Sequence, residues 1–144
     1  DEPVDAMARP DEVPGLLPES DVVVLALPAN AGTTHMVDDE MLGHMREGSV
    51  LVNVGRGALV DEDALRRALD HGRPARAVLD VTATEPLPAD DPLWDHPRVV
   101  VTPHSSALGH GRHGRAAEAF ADNLRRYAAG EPLRHEVTAA DLDG

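Results

Sequence analysis

Four short apolar runs punctuate a chain that is otherwise polar and rich in proline and glycine. The first is Val22-Val23-Val24-Leu25-Ala26-Leu27, opened by Asp21 and stopped by Pro28. The second is Val50-Leu51-Val52-Asn53-Val54, which breaks at Gly55-Arg56-Gly57. The third is Arg76-Ala77-Val78-Leu79-Asp80-Val81, and the fourth is Arg98-Val99-Val100-Val101, ending in Thr102-Pro103-His104. Runs that are continuous rather than alternating predict strands of the buried, parallel kind.

Helical patterns lie between them. Asp38 is a good N-cap for a short helix over 39–45, with Gly48 ending it. Asp61 is another, for a helix from Glu62 to about His71, with Glu62 and Asp63 in its first turn. Ala64, Leu65, Ala68 and Leu69 fall on one face of that helix, and Gly72 stops it. Residues 1–20 carry Pro3, Pro10, Pro14 and Pro18, and predict at best one helical turn over 11–17. Residues 82–97 form a proline-rich loop with the only Trp. After a Gly/His-rich loop, a helix from about Arg115 to Ala129 closes at Gly130, and a polar tail follows from 136.

Strands alternating with helices mean an α/β fold built on a parallel sheet with right-handed crossovers. No internal repeat or low-complexity linker interrupts it. At 144 residues the chain is one domain at most, long enough for a core. That core must be aliphatic, because apolar residues make up 42% but aromatics only 2%. The formal charge of −13 argues against nucleic acid and anionic membranes as partners, both of which need basic patches. All thirteen cations are Arg, so a single Arg says little by itself. The absence of Cys removes disulfides, thiolate nucleophiles and Cys-based metal sites. No apolar run reaches membrane length, and the acidic start is unlike a signal peptide, so the expected location is the cytoplasm.

Chemistry enters at the strand ends. Open α/β sheets place ligands beyond the carboxyl ends of their strands. Three such ends carry Arg56, then Asp80 to Glu85, then His104, and a parallel sheet brings them to one rim. A His beside a carboxylate is a general acid/base pair, and an Arg beside it can grip a carboxylate by two parallel hydrogen bonds. Together they suit a small carboxylic acid whose neighbouring carbon gains or loses a proton. Taken singly, each has a plainer reading. Arg56 is also an exposed residue in a Gly-rich turn, Asp80 a turn cap, Glu85 a solvated loop acid and His104 a satisfied terminal His.

Longer segments carry a resemblance. NVGRGALVDEDAL, AVLDVTATEPLP with DDPLW, and VVVTPHSS, preceded by LALPANAGTTHMV, resemble, in the family's order, signature segments of the D-isomer-specific 2-hydroxyacid dehydrogenases. The match spans roughly residues 20–135. It implies a Rossmann-type doubly wound parallel sheet, here the carboxyl-terminal half (about four strands) of the dinucleotide-binding domain, over residues 1–135. It implies that Arg56 binds the substrate carboxylate and carbonyl, that His104 moves the proton on the substrate oxygen, and that Glu85 pairs with His104. Asp80 would face the nicotinamide carboxamide. Leu27, Pro28, Thr33, Val54 and Gly55, with Arg56 and His104, would line the cofactor, which is NAD by the family's habit, with NADP open. The partners it implies are a small 2-hydroxy or 2-oxo acid and a second copy of the chain, as a homodimer.

The family's nucleotide domain also has a first strand, a Gly-rich turn, a helix and a ribose-reading strand, which would lie before Asp1. A literal G-x-G-x-x-G at Gly109–Gly114 does not replace them, because the preceding strand ends several residues too early and no strand follows its helix. His104, His110 and His113 lack a Cys or a placed carboxylate to make a metal site. A non-catalytic remnant or binding module is the alternative, which a native start at Asp1 would favour. A hydrolase using His104 and Glu85 lacks a nucleophile in a suitable elbow.

Overall fold

Parallel pairing begins where the β-branched runs begin. In the computed structural model, which describes residues 4–137, the strands are β1 (Val22–Leu25), β2 (Val50–Asn53), β3 (Arg76–Leu79) and β4 (Val99–Val101). Most of the tail expected from 136 onward falls at 138–144, outside the described residues. The strands lie side by side in chain order, each neighbouring pair parallel. Leu25 is level with Asn53, Asn53 with Leu79, and Leu79 with Val101. That register sets all four carboxyl ends on one line.

The crossovers are α1 (Asp39–His44) and α2 (Glu62–Asp70), while β3 connects to β4 through the long loop. Asp38 caps α1 by accepting from the Met41 N–H at 2.9 Å. Asp61 caps α2 by accepting from the Asp63 and Ala64 N–H groups, both at 3.0 Å. Each cap satisfies donors that have no partner within the helix. Leu42, Leu65 and Leu69 from these helices are fully buried with Leu51, Ala77 and Leu79 of the sheet, and Leu93 of the long loop joins the same core. Each such side chain contributes about 1.5–3 kcal/mol by leaving water.

The strands differ from the expectation of burial on both faces. Leu51, Asn53, Ala77 and Leu79 are buried, but their neighbours alternate outward, and Val22, Val24 and Val100 are each 56% exposed. The helices α1 and α2 cover one face, and among the described residues the second is largely open. Strand ends also come earlier than the apolar runs suggest. Pairing stops at Leu25 because the chain then turns toward Pro28, which has no N–H to give. The first helix ends at His44, and Gly48, at φ 85°, instead makes the turn into β2.

The chain divides into two compact units, Asp1–Ser106 and Ala107–Gly144. The second is built on α3 (Arg112–Ala129), which starts three residues earlier than expected. Gly111 (φ 78°) precedes its first turn and Gly130 (φ 70°) closes it. Asp122 gathers Arg126, Arg125 and Arg134 at 3.1, 3.3 and 3.5 Å. No residue of α3 is buried. Among the described residues no helix is long and apolar enough to cross a membrane.

Candidate active site

The loop after β2 is shaped by one buried amide. Asn53 is the last residue of β2 and wholly buried. Its Oδ1 accepts from the Gly55 N–H at 3.1 Å, and its Nδ2 donates to the Arg56 carbonyl at 2.9 Å. Both bonds bend the chain away from the sheet and leave the Arg56 side chain exposed at the rim. Two glycines let the loop approach its neighbours. A Cβ on Gly55 would lie 2.8 Å from the Leu27 carbonyl oxygen, and one on Gly57 would lie 2.0 Å from the Thr82 carbonyl. The loop between β1 and α1 is joined to the same region, because His35 and Val37 donate to the carbonyls of Ala58 and Leu59 at 2.8 and 3.0 Å.

After β3 and β4 the polar groups interlock. Asp80 is buried, and its carboxylate accepts from the Thr102 hydroxyl and from the N–H groups of Ser105 and Ser106 at 3.0 and 2.8 Å. Burial alone would raise its pKa, but these donors outweigh it and hold the carboxyl well below the usual range. The His104 N–H donates to the Asp80 carbonyl at 2.9 Å. His104 itself sits at φ 50°, a left-handed conformation that costs a non-glycine residue and concentrates at functional positions.

His104 Nδ1 is 2.8 Å from Glu85 Oε2. The other carboxylate oxygen of Glu85 accepts from the Thr82 N–H at 3.2 Å. The hydrogen bond to His104, the Thr82 N–H and the charge of Arg56 lower the Glu85 pKa, against a smaller upward push from burial. Glu85 is therefore an anion hydrogen-bonded to His104 and within the field of Arg56, whose side chain does not line the cavity beside the pair. The Arg56 guanidinium donates to its own Gly55 carbonyl at 2.7 Å, a bond that a better acceptor can replace. Beside the pair opens a cavity of about 500 Å³, lined on its apolar side by Leu87, Trp94 and Val101. Such an arrangement can hold an anion at Arg56 and pass a proton through the outer nitrogen of His104.

The remaining expected positions are spread along the rim. Leu27 and Val54 are half-buried, and Pro28 is exposed. Thr33 is turned into its own loop, donating to the Pro28 carbonyl at 2.9 Å and accepting from the Asn30 N–H at 2.8 Å. The glycine motif at Gly109–Gly114 begins eight residues beyond the end of β4 and runs into α3. Asn53 and Thr102 were not singled out from the sequence. An Asn inside a Val/Leu run just before a glycine, and a Thr closing a valine run before Pro103, were the available signals.

Comparison with known proteins places the chain in a family. Residues 2–106 match the family model of the D-isomer specific 2-hydroxyacid dehydrogenase, NAD binding domain. The chain is 43% identical over 124 residues to a glyoxylate/hydroxypyruvate reductase B of Pectobacterium atrosepticum, covering 86% of this chain and 39% of that protein. It is 44% identical over 116 residues to a glyoxylate reductase of Korarchaeum cryptofilum, covering 81% of this chain and 35% of that one. It therefore spans under two fifths of the length of these relatives. A Xanthobacter autotrophicus D-isomer specific 2-hydroxyacid dehydrogenase, solved with NADPH and MES, superposes with a TM-score of 0.78 at 41% identity, over 89% of this chain and 52% of that one. Fold and sequence converge: the chain belongs to the D-isomer specific 2-hydroxyacid dehydrogenases, in their NAD binding domain.

Proposed function

We propose that residues 1–135 are the carboxyl-terminal part of the dinucleotide-binding domain of an NAD(P)-dependent D-2-hydroxyacid dehydrogenase, and that they carry its acid/base machinery. The observation that supports this most directly is the 2.8 Å contact between His104 and Glu85, with the Arg56 charge felt at the same carboxylate. The names of the relatives point to small 2-oxo acids of the glyoxylate and hydroxypyruvate type as substrates.

In this reading the Arg56 fork releases the Gly55 carbonyl and takes the substrate carboxylate and the neighbouring ketone oxygen. His104 donates its proton to that oxygen as it becomes a hydroxyl, and takes it back in the reverse direction. Glu85 holds Nδ1 of the ring and so fixes which nitrogen faces the substrate. The nicotinamide dinucleotide, when bound, supplies or accepts the hydride at carbon 2. The residues present suit such a group. Leu27, Pro28 and Val54 offer an uncharged, partly apolar border for a flat ring, with Gly55 against the Leu27 carbonyl, Thr33 bonded to the Pro28 carbonyl, and the Asp80 carbonyl bonded to the His104 N–H. Three of the similar structures are complexes with NADPH or NADP, so the phosphorylated cofactor stands beside NAD. A homodimer belongs to the same reading and rests on the family alone, while a cytoplasmic location rests on the sequence pattern.

The test is to assay the intact protein with glyoxylate, hydroxypyruvate and phosphohydroxypyruvate against NADH and NADPH. Substrate-dependent oxidation of either cofactor is expected. Dinucleotide binding without turnover of any of the three would favour a module that has lost its chemistry.

A further inference from the structure

We propose that Glu62 and Gly57 are positioning residues for the Glu85–His104 pair, and that both act on a single peptide group, the one joining Thr82 to Ala83. Glu62 opens α2, where an acid ordinarily does no more than complement the helix dipole. That duty is already met, since Asp61 caps the helix and Asp63 stands in the same turn. Glu62 Oε1 reaches out of the helix instead, and accepts from the Ala83 N–H at 2.7 Å, 21 residues along the chain. The same peptide lies against Gly57. A Cβ there would come within 2.0 Å of the Thr82 carbonyl carbon and oxygen and 2.4 Å of the Ala83 nitrogen. One peptide is thus pressed from one side and hydrogen-bonded at its N–H.

Its neighbours carry the chemistry. The preceding N–H, on Thr82, donates to Glu85 Oε1 at 3.2 Å, and the Thr82 hydroxyl donates to the Thr84 carbonyl at 2.8 Å, closing the turn. The other oxygen of Glu85 meets His104. Gly57 follows Arg56 directly, so the loop that presents the cation is docked on the turn that presents the acid. The spacing between Arg56 and Glu85 is set by this contact rather than by either side chain. Burial pushes the Glu62 carboxyl up, chiefly against the Ala83 hydrogen bond, so the placement costs the charge some solvation.

Two variants of the intact protein separate reach from charge. Glu62→Asp keeps the acid in the first turn but falls one methylene short of Ala83. Glu62→Gln loses the charge but keeps an oxygen at the right distance. Under the dehydrogenase reading, on which only this kinetic arm rests, Glu62→Asp lowers kcat by about 10- to 100-fold with little change in KM, while Glu62→Gln stays near wild type. Independently of turnover, the Glu85 carboxyl followed by carbon NMR titrates higher in Glu62→Asp, toward its ordinary 4.5, as its contacts with His104, Thr82 and Arg56 loosen. In Glu62→Gln it stays low. Glu62→Asp matching wild type in both readouts, or Glu62→Gln as impaired as Glu62→Asp, overturns the proposal. A wild-type protein that reduces no 2-oxo acid defeats the dehydrogenase reading instead, and the titration then decides this one.

Discussion

Asn53 governs Arg56 without touching its guanidinium. The amide spans the turn, holding the Gly55 N–H with one end and the Arg56 carbonyl with the other. Asn53→Leu keeps a branched side chain but leaves the buried Gly55 N–H without its acceptor, while the Arg56 carbonyl keeps the Leu59 N–H at 3.2 Å. A loss of about 1–3 kcal/mol for the unsatisfied group is expected, read as a lower urea midpoint at unchanged slope.

Arg56→Lys keeps a positive charge at the rim but gives up the two-pronged grip. Under the proposed function, KM for the 2-oxo acid rises and kcat falls in the intact protein, measured by steady-state kinetics. Unchanged constants would mean that Arg56 acts only through its charge.

His104→Gln retains a polar side chain that cannot carry a proton. Turnover drops by about 10²–10⁴-fold with fold and cofactor binding retained. Near-normal rates would remove His104 from the mechanism.

Asp80 couples stability to pH. Its folded pKa lies below the ordinary 3.8, so its contribution is complete above that value and is lost as pH falls below it. Asp80→Asn should cost about 1.5–3 kcal/mol at neutral pH, because donors now face an amide instead of a carboxylate. Chemical denaturation at pH 7 and at pH 3 should show the gap between wild type and variant beginning to narrow at the lower pH. A gap that is constant with pH would contradict the assignment.

Produced as these 144 residues, the protein should self-associate. The outer edge of β1 has no strand partner among the described residues, and Val22, Val24 and Val100 are exposed on the open face. Sedimentation velocity should show a smaller species when Val24 is replaced by Lys.

Much of this was readable from residue order. The valine runs placed all four strands, and parallel register then carried Glu85 and His104 to the same rim. What the sequence withheld depends on directions taken after a strand ends. Periodicity does not say that Asn53 turns its amide onto the next loop, or that Glu62 leaves its helix to reach Ala83. Glu62 read as an acid near a helix dipole, which it also is. Gly57 marks only a break after a strand in the sequence, whereas its lack of a side chain serves a contact 25 residues away. The run Val22–Leu27 read as buried because composition cannot show which face of a sheet is covered.

Trp94 gives the molecule an optical label of its own. It is the only indole in the chain, 51% exposed, fixed by donating from Nε1 to the Pro88 carbonyl at 2.8 Å, and it lines the same cavity as Glu85 and His104. Its emission therefore reports the polarity of that cavity, without dye or substitution. Binding events that never reach turnover become visible in the same cuvette as those that do.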